Sequence, residues 1–289
     1  MEGKLLKSKY RIERRIAKGG MSTVYLCTNI ELGNKWIAKE IEKKYSNYIY
    51  EEEILKRLYH ISLPKIVDIC RDETGIFIIE SYIEGISLLK LMTNIGGLEL
   101  DKVIDYSLQL CEVLTYLHNM KPKPIIHKDL KPSNIIVTEG DKLVLVDFGI
   151  AEEQGGDLMG LRAGTNAYAP PEQLANSGIC DTRGDIYSYG IILIQLVTGE
   201  LIGRTYGAKE LSISNIHKKL LDIGEKCTAF LPEDRYQKVE EIRENLIEAR
   251  DRLIAAKESK KIKQKLAMIF IVILSLLSYI LSIIGIIVF

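Results

Sequence analysis

The first 80 residues alternate apolar and polar positions in the way that is typical of half-buried β-strands. The strand-like runs occupy residues 22–30, 35–41 and 65–82. Turn sequences separate them, at ELGN (31–34) and at Glu73-Thr74-Gly75, which divides the last run into two strands. One helical segment, at about residues 47–59, interrupts the β pattern. We therefore expect a small, sheet-rich lobe over about residues 8–80.

After residue 85 the apolar positions recur mostly at helical spacing. One clear example is the set Val103, Ile104, Leu108, Leu110, Val113, Leu114 and Leu117. A short β patch returns at residues 135–137 and 143–146, on either side of Gly140-Asp141. The sequence therefore predicts an α+β fold, with the small β-rich lobe followed by a larger helical lobe over about residues 85–252.

The C-terminal 24 residues, 266–289, carry no charge, and 20 of them are apolar. As a helix they would extend about 36 Å, enough to cross a hydrocarbon core about 30 Å thick. A buried helix of a soluble domain is the alternative, but such helices seldom contain so long an apolar run. A stripe of small residues, Ser275, Ser278, Ser282 and Gly285, would lie on one face and could bring two helices together. We expect a transmembrane helix and consider a homodimer.

A basic segment precedes this helix. Residues 257–265, KESKKIKQK, carry a net charge of +4, which leaves −4 for residues 1–256. Basic residues beside a membrane span favour the cytoplasmic side, and lysines near lipid headgroups attract anionic lipid. We therefore expect a cell-membrane protein that crosses the membrane once, with residues 1–256 in the cytoplasm.

The whole-chain composition is ordinary for a globular protein of 289 residues: zero net charge, 47% hydrophobic and 27% charged residues. The balanced charge argues against a nucleic-acid binder, so we expect no nucleic-acid partner. The five cysteines are widely spaced and include no CxxC pair, which indicates buried thiols rather than metal ligands or redox pairs.

The densest concentration of chemistry is HKDLKPSN at residues 127–134, followed by DFG at 147–149. Lys39 lies upstream on a predicted strand, with a Gly-rich turn before it. This ordered set resembles the catalytic motifs of the eukaryotic-type protein kinases, especially the bacterial serine/threonine branch. The resemblance covers about residues 8–250.

The resemblance implies a bilobal protein-kinase fold and, together with the C-terminal pattern described above, predicts a three-part chain. The kinase domain would occupy residues 8–252, a basic juxtamembrane segment residues 253–265, and the transmembrane helix residues 266–289. It also implies a protein serine/threonine kinase that uses ATP and Mg²⁺ and phosphorylates Ser or Thr hydroxyls of protein substrates.

Transfer of a γ-phosphoryl group needs little covalent help and much positioning and charge neutralisation. By resemblance, Asp129 would orient the substrate hydroxyl and accept its proton, and Lys131 would offset charge on the transferred group. Asn134 and Asp147 would supply Mg²⁺ with one neutral and one anionic oxygen. Lys39 would hold the α- and β-phosphates.

The family partner of Lys39 is a glutamate on a helix. Its spacing to Ile54-Leu55 selects Glu51 over the adjacent Glu52 and Glu53. The full set expected to contact nucleotide and metal is Ile16, Gly19, Gly20, Ser22, Val24, Lys39, Glu51, Tyr82, Asn134 and Asp147.

Three further matches to the family would support the site without performing chemistry. Glu172 and Arg235 match a structural ion pair, and Asp185 matches the residue that anchors the catalytic loop to a helix. Gly164-Thr165 precedes YAPPE at 168–172, which matches the segment that holds a peptide substrate.

The sequence departs from the family pattern around the nucleotide. Ala17 and Ser22 stand where the Gly-rich loop usually has glycines, which predicts a stiffer cover. If no bulge shifts the strand register, Ile37 stands where the family usually has a small alanine over adenine. Glu80 then occupies the position at the back of the nucleotide pocket. These changes leave open a kinase-like membrane scaffold with weak or no phosphotransfer. A small-molecule phosphotransferase is disfavoured, because the peptide-holding segment is present.

The activation segment also departs from the family. Lys128 replaces the usual arginine, and residues 148–164 contain no Ser, Thr or Tyr. A lysine cannot form the two-pronged contact to phosphate that arginine forms. We expect activity that does not depend on phosphorylation within that stretch.

Overall fold

The computed structural model describes residues 1–19, 22–42, 57–73, 75–95, 97–148, 152–153, 167–175, 181–200 and 214–287. The expected helix at about 47–59 lies largely outside these residues, as do Gly20 and Met21 of the Gly-rich turn. Within the described residues the chain has the predicted α+β organisation, with a β-rich part before a helical part.

Six strands form the first sheet: β1 (Leu5–Leu6), β2 (Tyr10–Lys18), β3 (Ser22–Asn29), β4 (Lys35–Glu42), β5 (Ile66–Arg71) and β6 (Gly75–Ser81). The spatial order is β1-β2-β3-β4-β6-β5, and all neighbours are antiparallel. The prediction of two strands joined at residues 73–75 is confirmed by β5 and β6.

Alternation along these strands separates the two faces of the sheet. In β3 the buried and half-buried positions alternate without a break. One face carries a hydrophobic core made of Leu6, Tyr10, Ile12, Tyr25, Cys27, Ala38, Cys70, Phe77 and Ile79. Because Ala38 belongs to this face, its neighbours Ile37 and Lys39 point to the opposite face.

The second part of the chain contains six helices among the described residues: α1 (Leu88–Ile95), α2 (Leu100–His118), α3 (Pro171–Leu174), α4 (Thr182–Thr198), α5 (Asn215–Cys227) and α6 (Val239–Ile287). The seven apolar residues given above for this segment lie in α2, and all of them are buried except Leu108. This confirms α2 as the predicted buried helix. The β patch is also confirmed: β9 (Ile135–Val137) pairs with β10 (Leu143–Leu145), and β7 (Ile86–Ser87) completes that sheet. A separate pair joins β8 (Ile125–Ile126) to β11 (Glu152–Glu153).

Helices α4 and α5 approach each other closely where both carry glycine. A Cβ atom built on Gly190 would lie 2.4 Å from the Cβ of Cys227. A Cβ atom on Gly224 would lie 2.6 Å from Ile194. The missing side chains therefore permit this helix contact.

Four cysteines, Cys27, Cys70, Cys111 and Cys227, are free and buried, as predicted. Burial raises the pKa of Cys27 and that of Cys111 to about 12 each. These thiols are therefore protonated at neutral pH and serve as packing groups. Cys180 lies outside the described residues.

The chain divides into two units, residues 1–246 and residues 247–289. Helix α6 begins in the first unit, where Val239, Ile242 and Leu246 are buried. It continues through the second unit as part of one helix of 49 residues. Searched over the described residues, the helices include none with both the length and the apolar character needed to cross a membrane.

Candidate active site

The loop between β8 and β9 gathers the two predicted catalytic side chains and one predicted metal ligand. Lys131 Nζ lies 2.6 Å from Asp129 Oδ2. Asn134 Nδ2 donates to Asp129 Oδ2 over 3.1 Å and to the Asp129 carbonyl over 3.0 Å. A 3-10 turn at Pro132–Asn134 brings Asn134 back to Asp129. The Asp129 carboxylate is thus oriented by two neighbours from its own loop.

Asp185 holds this loop in place, which confirms the anchoring role predicted for it. Its carboxylate is fully buried in α4. It accepts hydrogen bonds from the backbone amides of His127 (2.9 Å) and Lys128 (3.0 Å) and from His118 Nε2 (2.9 Å). Burial alone would raise the pKa of Asp185, but the hydrogen bond and charge of His118 and the backbone amide of His127 lower the pKa below its ordinary value.

His127 is itself fully buried, and its ring meets Phe148 edge-on with centroids 4.9 Å apart. Burial lowers the pKa of His127 below its ordinary value, so the imidazole is neutral at pH 7. Its Nδ1 accepts a hydrogen bond from the Asp129 amide over 3.3 Å. The ring therefore supports the backbone of Asp129.

The backbone of the loop is strained beside Asp129. Lys128 has a φ of 64°, in the left-handed region. A residue with a Cβ atom is about 1–2 kcal/mol less stable there than in the right-handed region. The hydrogen bonds to Asp185 and the surrounding packing must therefore hold Lys128 in this conformation.

Strand β4 brings Lys39 to the second part of the site. Lys39 Nζ lies 2.9 Å from Asp147 Oδ1, and the lysine side chain is 4% exposed. Asp147 also has a left-handed backbone, with a φ of 68°. An almost fully buried ammonium held beside a carboxylate is a suitable neighbour for phosphate oxygens and a metal ion.

Asn134 and Asp147 are held next to each other by the main chain. The amide of Val146 donates to the Asn134 carbonyl over 2.8 Å. The pair offers one amide and one carboxylate, which fits Mg²⁺ because this ion takes few protein ligands and keeps water and phosphate oxygens. Over the described ranges, no group of three or more His, Cys, Asp or Glu side chains is arranged to hold a metal. The donor set therefore suits Mg²⁺ bound together with a nucleotide.

Several other residues expected at the nucleotide lie in β2, in β3 and in the turn between these strands. Val24 pairs with Lys39 across β3 and β4, so both lie on the same face. Ile16 lies at an irregularity in the pairing of β2 with β3 and is 43% exposed. Gly19 and Ser22 close the turn between these strands through a 2.8 Å bond from the Gly19 amide to the Ser22 carbonyl.

Tyr82 follows β6 and is 37% exposed. Lys35 Nζ lies 5.9 Å from the centre of its ring. Gly20 and Glu51 lie outside the described residues, so the proposed partner of Lys39 stays a prediction.

The pairing of β4 with β6 runs without a bulge from Trp36–Ser81 to Glu42–Gly75. Ile37 therefore stands directly opposite Glu80, on the face that carries Lys39. Both side chains are half-buried. The strand register that assigns Ile37 and Glu80 to their unusual positions is thus continuous.

The predicted ion pair of Glu172 with Arg235 is confirmed. Arg235 donates from Nη1 and Nη2 to the two carboxylate oxygens over 2.7 and 2.8 Å, and its own side chain is fully buried. It also donates to the carbonyls of Arg183, Ala229 and Phe230. Glu172 is the second residue of α3, so this pair fixes the helix in which the peptide-holding segment ends. Thr165 lies outside the described residues.

The model of the protein kinase domain family matches residues 10–268, most of the chain. The chain belongs to the protein kinase family. This accounts for the ordered motifs and for the bilobal α+β architecture.

Several curated relatives are serine/threonine kinases of bacteria. A probable serine/threonine-protein kinase of Clostridium acetobutylicum is 28% identical over 85% of this chain and 40% of its own length. The serine/threonine-protein kinase PrkC of Bacillus subtilis is 29% identical over 69% of this chain and 32% of its own length. The serine/threonine-protein kinase PknL of Mycobacterium tuberculosis is 30% identical over 69% and 51%. The matched part spans about a third to a half of the length of these relatives.

Three contacts of this kinase site were missed by the sequence analysis. His118 binds Asp185, and Gln173 Nε2 donates to the Lys128 carbonyl over 3.2 Å. Tyr168 Oη donates to the buried Gln195 over 3.0 Å, which ties the peptide-holding segment to α4. No local pattern marks these residues, because each acts on a partner at least 27 positions away.

Proposed function

We propose that this protein is a serine/threonine protein kinase that transfers the γ-phosphoryl group of ATP to protein hydroxyls. The observation that carries the proposal is the joint placement of Asp129, Lys131 and Asn134 in one loop, with the Lys39–Asp147 ion pair beside it. The names of the bacterial relatives support the serine/threonine class. So does the lysine two residues after the catalytic aspartate.

In this proposal each side chain has a separate task. Asp129 Oδ2, already oriented by Lys131 and Asn134, hydrogen-bonds the incoming hydroxyl and accepts its proton. Lys131 then offers its positive charge to the transferred phosphoryl group. Lys39 holds the nucleotide phosphates, while Asn134 and Asp147 hold the metal. Bound Mg²⁺ would neutralise phosphate charge during the transfer.

The test is phosphorylation of a generic basic protein by full-length enzyme in detergent with labelled MgATP. Asp129→Asn and Lys39→Met should each lower incorporation by about 100-fold or more, because they remove the base and the phosphate contact. Asp222→Asn and Lys218→Met change exposed residues of α5, outside the loops and strands that carry the site, and serve as matched controls. Incorporation that persists in Asp129→Asn would refute the mechanism. Lack of incorporation by wild type would favour the membrane scaffold, to which the Ile37–Glu80 pair also points.

We further propose that residues 266–289 anchor the enzyme in the cell membrane, with the kinase domain in the cytoplasm, although no helix of the described residues meets the length and apolar character of a membrane span. The uncharged sequence supports this, together with the exposed apolar side chains of α6. The large apolar residues among positions 266–280 are 48% to 68% exposed. An apolar surface of this size requires a partner, and a bilayer suits a helix that is apolar on all sides. The lysines of residues 257–265 support the cytoplasmic orientation.

Alkaline carbonate extraction of membranes tests the anchor. Full-length protein should stay in the membrane pellet, and a chain that ends at residue 256 should be released. Release of the full-length protein would refute the anchor. Crosslinking in membranes tests the homodimer: Ser278→Leu and Gly285→Leu should abolish it if small residues form the contact.

A further inference from the structure

The carbonyl that precedes the catalytic aspartate has a side-chain partner from outside the catalytic loop. Gln173 Nε2 donates to the Lys128 carbonyl over 3.2 Å, from 45 positions along the chain. The phosphoryl transfer proposed above assigns no chemical step to the side-chain amide of Gln173. The effect of Gln173 on the reaction must therefore pass through the backbone of Lys128.

The peptide unit between Lys128 and Asp129 is held at both ends. Its carbonyl accepts the bond from Gln173, and its amide donates to His127 Nδ1. Asp185 binds the amides of His127 and Lys128, which precede the Cα atom of Lys128. Asp185 thus fixes the backbone before the left-handed residue Lys128. Gln173 and His127 fix the peptide unit after it. Rotation of that peptide would redirect the Asp129 side chain.

Gln173 stands on a rigid support. Its backbone amide donates to the Pro170 carbonyl over 3.0 Å, within the turn that begins α3. Its neighbour Glu172 is held by both terminal nitrogens of the buried Arg235. The backbone that carries the Gln173 side chain is therefore held in place beside the catalytic loop.

We propose that Gln173 is a positioning residue for Asp129. Its amide holds the Lys128–Asp129 peptide in the orientation that the left-handed backbone of Lys128 requires, and it links α3 to the catalytic loop. This proposal rests on the proposed phosphoryl transfer, in which Asp129 must point at the substrate hydroxyl.

The first test compares two full-length variants, Gln173→Met and Gln237→Met, in detergent. Methionine has a similar length and lacks the donor. Gln237 also donates to backbone carbonyls, those of Pro232 and Arg235, but does not contact the catalytic loop. Gln173→Met should lower kcat about tenfold with the KM for MgATP within about twofold of wild type. Gln237→Met should lower Tm and leave kcat unchanged, and an unchanged kcat in Gln173→Met would overturn the proposal.

A Lys128→Asn background checks the backbone route. Asparagine adopts the left-handed conformation more readily than lysine, so the same peptide needs less support. The loss of kcat caused by Gln173→Met should shrink to about threefold in this background. An undiminished tenfold loss would contradict a role through the Lys128 backbone.

Hydrogen exchange separates this proposal from the proposed function, because it needs no activity. Peptides that cover residues 127–131 should exchange faster in Gln173→Met than in wild type or Gln237→Met. Faster exchange in a protein that transfers no phosphate would refute the proposed function and support the positioning role. Unchanged exchange in these peptides would overturn the positioning role even if the wild type is an active kinase.

Discussion

Replacing Glu172 with glutamine removes one charge from the buried Glu172–Arg235 pair at almost constant side-chain volume. Arg235 has no exposed side-chain surface, and Glu172 is 17% exposed. After the substitution the guanidinium keeps its three bonds to backbone carbonyls but loses its counter-charge. An uncompensated buried charge is therefore left in the helical lobe.

The expected loss follows from that burial. Removing one partner of a buried ion pair destabilises a protein by about 3–5 kcal/mol. The three carbonyl partners of Arg235 place this case at the lower end, at about 3 kcal/mol. For a domain of 150–250 residues this corresponds to a fall in Tm of about 6–12 °C. An exposed pair, by contrast, contributes about 0.3–0.5 kcal/mol.

The matched control is Glu248→Gln, which breaks the exposed pair with Arg252 one helical turn away. These side chains are 50% and 62% exposed. Thermal and urea unfolding would be followed by far-UV circular dichroism and by the fluorescence of Trp36, the single tryptophan. A Tm for Glu172→Gln within about 1 °C of that for Glu248→Gln would refute the assignment of stability to the buried pair.

Three more substitutions test other parts of the structure. Gly190→Ala places a methyl group 2.4 Å from Cys227 Cβ and should lower the free energy of unfolding by about 2–3 kcal/mol in urea titrations; Gly97→Ala, which meets no atom within 4 Å, should change it by less than 1 kcal/mol. Because burial lowers the pKa of His127, the unfolded chain binds one more proton than the folded chain below about pH 6.5, and stability falls as pH drops. His127→Asn should therefore reduce the pH dependence of unfolding between pH 6.5 and 5, by up to about 1.4 kcal/mol per pH unit, and an unchanged slope would contradict this. Ile37→Ala, which clears space on the Lys39 face, should lower the KM for MgATP several-fold in the kinase assay, whereas an unchanged KM would mean that Ile37 does not touch the nucleotide.

Much of the fold was predictable because it depends on local periodicity. The apolar residues of α2 recur at helical spacing, and β5 and β6 are separated by an evident turn. Alternation along β4 placed Lys39 on the face opposite the core residue Ala38. These patterns depend on residues a few positions apart. The ordered motifs also pointed to the protein kinase family.

The sequence by itself thus determined most of the described strands and helices and the family, and it predicted which side chains are catalytic. It could not determine which polar groups meet across long chain separations. Lys39 and Asp147 are 108 positions apart, and the contacts of Asp185 and Gln173 with the catalytic loop cross from other helices. The left-handed backbone of Lys128 also has no sequence signal, because lysine disfavours it. Only the tertiary structure supplies the hydrogen bonds that outweigh this preference, since buried polar groups are stable only where the fold provides partners.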